Sequence, residues 1–209
     1  MIEICRLNAG CTCETNGLME QCEYEISATV NDVALQDECY EFVRFIADYI
    51  SLGNIIRDDE TVMYGYWLTK GFLSSDHSRM IFYEYNPEAT EFVFGVDTTL
   101  LYWRDQHRTC QMAGAQFSPS RPDQLVAISE GVYEGDAVEG VRYPSPSHMS
   151  GWWLTSDKYN GDINSLKTVH AHHVTAKRPD LAKFFALPYG YRFFSSTSEV
   201  RFDEKVARS

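Results

Sequence analysis

The chain has 209 residues, 44 % hydrophobic and 23 % charged, with 29 aromatics (4 Trp, 13 Tyr, 12 Phe). That is a globular mix, long enough to bury a core without disulfides or a metal, and neither disordered nor collagenous. Thirty acids against 18 bases leave a net charge of −12, carried by residues 1–110 (19 acids, 7 bases), while residues 111–209 hold 11 of each; a field of this sign repels nucleic-acid phosphates and anionic membranes.

Residues 1–23 hold weak signals, with a short strand near Ile2–Leu7. Tyr24–Val30 alternates as a strand does. From Leu35 to Leu52 the apolar residues Leu35, Cys39, Phe42, Val43, Ile46, Tyr49 and Ile50 recur at helical spacing, and Gly53-Asn54 supplies the stop. Thr61–Thr69, Met80–Tyr85 and Glu91–Gly95 read as strands of an antiparallel meander. Asp97 and Thr98 are good caps for a second helix running to about Met112. Ser118–Asp123, rich in Pro and Ser, is the best linker. Beyond it Leu125–Ser129, Val138–Tyr143, Gly151–Thr155, Tyr191–Phe194 and Glu199–Phe202 read as strands, and Leu166 to about Ala176 as a third long helix capped by Asn164 or Ser165. These elements predict an α+β protein of two small domains, 1–117 and 124–209, each an antiparallel sheet packed with one or two helices.

No apolar run nears the ~20 residues of a membrane span. The start, Met1-Ile2-Glu3-Ile4-Cys5, lacks the basic-then-apolar pattern of a secretory signal. A cytoplasmic location is therefore expected, with neither nucleic acid nor membrane as partner. In that reducing compartment Cys5, Cys11, Cys13, Cys22, Cys39 and Cys110 are expected as free thiols. The C-x-C pair has no second ligand pair of zinc spacing after it.

On a helix, His170 and His173 would share a face, the arrangement of a two-histidine metal site. The series Leu166, Val169, His170, His173 and Lys177 is explained more simply by packing, with His172 turned to solvent. Asp157–Asp162 resembles a calcium loop in part, but Thr168 stands where a bidentate Glu is needed. H-E-x-x-H, G-x-S-x-G and a P-loop are absent from the sequence, and the His107–Cys110 pair lacks a third group. No cofactor, no metal and no catalytic residue is expected.

The C-terminal third forms a set. Arg142 lies on one strand, Ser150-Gly151-Trp152 on another, and Pro188-Tyr189-Gly190-Tyr191-Arg192-Phe193 follows a helix. This order resembles a family of bacterial immunity proteins encoded beside polymorphic toxins, including effectors of contact-dependent and type VI secretion. The resemblance spans roughly residues 124–205, with Met149 in place of the acid that often precedes Ser-Gly-Trp, as in a divergent branch. It implies a non-enzymatic protein that binds and neutralises a cognate toxin in the cytosol, protecting the producing cell. The motif residues serve the fold: alternation puts Trp152 and Trp153 on opposite faces, and Gly151 admits a close neighbour. The acidic half suits a basic, nuclease-like toxin or an enzyme acting on nucleotides, with Glu20, Glu23, Glu25, Asp58, Asp59 and Glu60 as candidate partner-binding acids. The competing readings are a metal-dependent enzyme or ligand-binding protein using the His170/His173 helix, and an effector-specific adaptor or chaperone.

Overall fold

The computed structural model describes residues 2–208. The chain divides into two compact units, Met1–Arg104 and Asp105–Ser209.

The first unit contains β1 (Glu3–Leu7), β2 (Thr12–Asn16), α1 (Met19–Cys22), β3 (Glu25–Thr29), α2 (Gln36–Ser51), β4 (Glu60–Tyr64), β5 (Trp67–Leu73), β6 (Arg79–Tyr85) and β7 (Phe92–Phe94). Its sheet runs β1-β2-β3-β6-β5-β4, with β7 also paired to β6. Every pairing is antiparallel except β3 with β6, which is parallel in the register Ile26↔Met80. The meander from β4 to β7 is present as the alternation predicts. The single strand expected at Thr61–Thr69 is instead a hairpin, because Gly65 takes a left-handed φ of 62° and reverses the chain. No polar residue marked that turn, since its other member, Tyr66, is fully buried.

The core lies where α2 meets the sheet. Cys39, Phe42, Val43, Ile46 and Ile50 are buried on one face of the helix, and Phe42 meets Tyr64 and Phe82 edge-on at centroid distances of 5.0 and 5.3 Å. Burying each large side chain contributes about 1.5–3 kcal/mol. Gly53 closes the helix with a φ of 91°, while the Asn54 side chain donates to the Tyr49 carbonyl.

Helix α3 (Asp97–Met112) spans the division between the units. Its first turn is held by Glu84, whose carboxylate accepts from the backbone N–H groups of Thr98 and Thr99 at 2.8 and 2.6 Å. Asp97 is therefore free to grip Asn31 and Asp32, accepting from both backbone N–H groups.

The second unit contains β8 (Leu125–Ile128), β9 (Glu139–Arg142), β10 (Met149–Thr155), β11 (Lys167–His170), α4 (Ala171–Lys177), β12 (Tyr191–Phe194), β13 (Glu199–Phe202) and α5 (Glu204–Ala207). The sheet order is β11-β8-β10-β9-β12-β13, antiparallel apart from the β8–β10 pair. The α+β class stands, and each sheet carries one parallel pair. The long helix expected from Leu166 to Ala176 is not formed. Lys167–His170 is a strand paired antiparallel with β8, Thr168 opposite Ala127 and Val169 opposite Val126, and the helix begins only at Ala171. Apolar residues at 166 and 169 fit a helix, but β-branched Thr168 and Val169 beside an open edge of β8 satisfy the backbone as a strand. Among the described residues no helix is long and apolar enough to cross a membrane.

Candidate functional site

The centre of the second unit is the Arg142 guanidinium, almost wholly buried. It donates to the backbone carbonyls of Ser150 at 2.9 Å, Ser118 at 2.6 Å and Leu187, and lies 4.8 Å from the centroid of the Tyr189 ring. Burial lowers its pKa to about 10, opposed mainly by Tyr189. Ser150 sits at an irregularity of the β8–β10 pairing, and its hydroxyl donates to the Leu125 carbonyl at 2.9 Å. Gly151 follows with a φ of 83°; a Cβ there would come within 2.2 Å of the Tyr143 carbonyl oxygen. Trp152 is fully buried between Phe185 and Phe193, while Trp153 points to the other face, against Tyr143. A second arginine, Arg178, grips Asp180 through two 2.9 Å hydrogen bonds and donates to the Val132 and Asp136 carbonyls. Both arginines bind strands and loops of their own unit, so their chemistry is structural.

The six acids fall at two places in the first unit and differ in what they do. Glu20, Glu23, Asp58 and Asp59 are exposed. Asp59 pairs with Lys70 at 2.8 Å, Asp58 accepts from the Leu73 N–H, and Glu60 accepts from the Arg57 N–H. Glu25 turns inward: its carboxylate accepts from the Thr15 hydroxyl at 2.6 Å and from the N–H groups of Gly17, Leu18 and Met19. Burial works to raise its pKa, but these four donors outweigh it and hold the carboxyl below the ordinary range. Beside Glu60, the residues Phe45, Tyr49, Ile55 and Met63 line a shallow depression of about 260 Å³. With Leu52 they are 38–83 % exposed, next to β4, the edge strand of its sheet. Sequence reading missed this surface because Tyr49 fits the same helical spacing as the core residues of α2.

The histidines are not placed as the sequence suggests. His170 ends β11 and His172 and His173 open α4, so the shared helix face of His170 and His173 does not exist. All three rings gather instead, with His172 4.2 Å from His173 and 5.4 Å from His170 between centroids. His172 is half-buried, and its Nδ1 lies 2.9 Å from the Pro122 carbonyl. Burial lowers its pKa, with the Pro122 hydrogen bond working upward. All six cysteines are free thiols. Contact with Cys13, then burial, push Cys39 up, and burial pushes Cys110 to about 11, so both are unreactive near neutral pH. His107 stacks on Phe117, and the Cys110 thiol donates to the Ala186 carbonyl, which leaves the two without a nucleophile–base hydrogen bond to each other.

Taken alone, the second unit is a sheet keyed around a buried arginine, with its ends closed by a Ser-Gly-Trp strand and a Pro-Tyr-Gly turn. Residues 105–203 match the family model of the Imm33-like domain. The match spans nearly the whole second unit and supports an immunity-protein family. No curated protein and no solved structure matches the chain. Within the matched residues, Arg142 joins Ser118, Ser150 and Leu187, which are far apart in sequence. The first unit lies outside the matched residues.

Proposed function

We propose that this protein is the immunity partner of a secreted bacterial toxin, binding and neutralising it without catalysis in the cytosol of the cell that makes it. The observation that carries this reading is the Imm33-like domain over residues 105–203. The charge distribution adds to it. The acidic first half is suited to a basic toxin, such as a nuclease, whose approach it would accelerate and whose substrate-binding cations it could cover. Delivery of that toxin by contact-dependent or type VI secretion fits such a pair.

The contact surface we assign is on the first unit: the apolar depression of Phe45, Tyr49, Ile55 and Met63 as the desolvated centre, with Glu60 in its lining and the exposed Asp58 and Asp59 just before it in the chain. Exposed aromatic and aliphatic anchors ringed by charge are the usual anatomy of a specific interface. Glu20 and Glu23 contribute to the field.

The test is co-expression with the toxin encoded beside it. Cells should survive toxin induction only when this protein is present, and the two purified chains should co-elute as a complex. Ile55→Asp, placed in the depression on an exposed side chain, should weaken the complex by about 10-fold or more while leaving the fold intact. Absence of both protection and binding would remove the immunity reading; binding unchanged by Ile55→Asp would move the contact to another surface.

A further inference from the structure

We propose that His170, His172 and His173 form a binding site for a divalent first-row transition-metal ion, zinc being the ion best suited, with one coordination position left open.

Each histidine offers one ring nitrogen, and the three nitrogens all lie within 4.8 Å of one another. Among the described residues this is the one group of three or more His, Cys, Asp or Glu side chains so gathered. A tetrahedral zinc with Zn–N bonds of about 2.0–2.1 Å sets its nitrogens about 3.3 Å apart. The rings therefore need to close by about 1.5 Å at most, a matter of side-chain rotation, and His170 and His173 are exposed and free to make it.

The backbone around the cluster is fixed. His170 is paired with Leu125 at the end of β11, the Ala171 N–H donates to the Gln124 carbonyl at 2.8 Å, and the His172 N–H donates to Pro122 at 3.0 Å. The change from strand to helix between residues 170 and 171 is what makes the three rings converge. In one continuous helix, residues 170 and 172 would stand about 200° apart.

The His172 ring adds the feature that separates a ligand from a bystander. Its Nδ1 meets the Pro122 carbonyl oxygen, which can only accept, so Nδ1 carries the hydrogen and the Nε2 lone pair is left for a metal. A backbone carbonyl behind the imidazole is the orienting contact that metal-ligating histidines usually have. Imidazole nitrogens suit Zn²⁺, Cu²⁺ and Ni²⁺ rather than Mg²⁺ or Ca²⁺. The carboxylate of the supporting loop, Asp123, is held by Arg121 through hydrogen bonds of 2.9 and 3.2 Å. The fourth position thus falls to water or to a group from another molecule. This assignment does not depend on the toxin-binding proposal.

The experiment is calorimetric titration of ZnCl₂ into the tag-free full chain. One ion per chain should bind. His170→Ala and His172→Ala should each weaken it by more than about 10-fold, since even outer contacts of zinc ligands are worth 10–100-fold. The triple alanine variant should abolish it, and His148→Ala, an exposed histidine outside the cluster, should leave it unchanged. A second measurement uses the unmutated protein: imidazole ¹⁵N resonances of the three histidines should shift with zinc while that of His148 stays. No binding, or binding that survives the triple variant and leaves those resonances unmoved, would overturn the site and place any zinc on the thiols.

Discussion

At the scale of single residues, two charged side chains, one buried and one half-buried, brace their own units mainly through backbone groups rather than opposite charges. Arg142 donates to three backbone carbonyls at once, so its removal takes a donor from each. Arg142→Met should therefore cost about 3 kcal/mol or more in urea unfolding of the full chain. Arg142→Lys should recover only part, because a single ammonium cannot reproduce the planar fork. Glu25 is the counterpart in the first unit. Its folded pKa is depressed, so the stability it contributes is complete above its unfolded value of 4.5 and is lost as pH falls through the folded value. Unfolding followed against pH should show this acid-side loss in the native protein. In Glu25→Gln the curve should be flatter below pH 4.5 and lower, by about 1.5–3 kcal/mol, at neutral pH. Equal slopes in the two proteins would show that other carboxylates govern acid unfolding. The same carboxylate is poorly placed to meet a partner, being half-buried and engaged by four donors.

At the scale of elements, β10 is the strand whose geometry leaves least room. Its left-handed Gly151 faces both the Tyr143 carbonyl and the Tyr189 ring, which a Cβ would approach to 2.2 and 2.9 Å. Gly161, also left-handed at φ 88°, has open space around it. Alanine at either position bears the cost of a left-handed backbone, about 1–2 kcal/mol. Only Gly151→Ala adds overpacking, about 1–3 kcal/mol more. The difference in thermal midpoint between the two variants isolates the close approach, and equal midpoints would mean that β10 can shift to accept a methyl group. The junction of β11 with α4 shows the same dependence on neighbours. Lys167–His170 becomes a strand because β8 offers an edge, and that choice sets where three histidines point.

At the scale of the whole molecule, charge is the property that acts at a distance. Residues 1–60 alone hold 13 acids and 3 bases. Exchanging Glu20 and Glu23 for Gln, and Asp58 and Asp59 for Asn, removes four exposed charges. Asn at 58 keeps an acceptor for the Leu73 N–H, and Asn tolerates the left-handed φ of 64° at position 59. The variant should associate with the toxin about 10-fold more slowly at low salt, with the difference shrinking as ionic strength rises and dissociation changing less. Stopped-flow association at two salt concentrations measures it. A rate unchanged at both would show that the acidic field does not steer the encounter.

The amino-acid sequence alone determined what depends on near neighbours. Helix α2 with its buried face, the Gly53-Asn54 stop, most strands, the α+β class and the acidic first half all follow from periodicities and turn residues within a few positions of one another. The Arg142, Ser-Gly-Trp and Pro-Tyr-Gly residues could also be picked out, because each is a short contiguous motif. Only the tertiary structure decided what depends on distant partners. The parallel pairs β3–β6 and β8–β10 join strands far apart in the chain, and no local pattern specifies which edges meet. Glu25 looked like a surface acid because its four donors lie at residues 15–19, brought to it by the fold. The histidine cluster was hidden for the same reason: apolar spacing at Leu166 and Val169 satisfies a helix and an edge strand alike, and pairing with β8 chose the strand. Hydrogen bonding to an open edge outweighs a weak local preference, and a handful of backbone angles then decides which side chains converge.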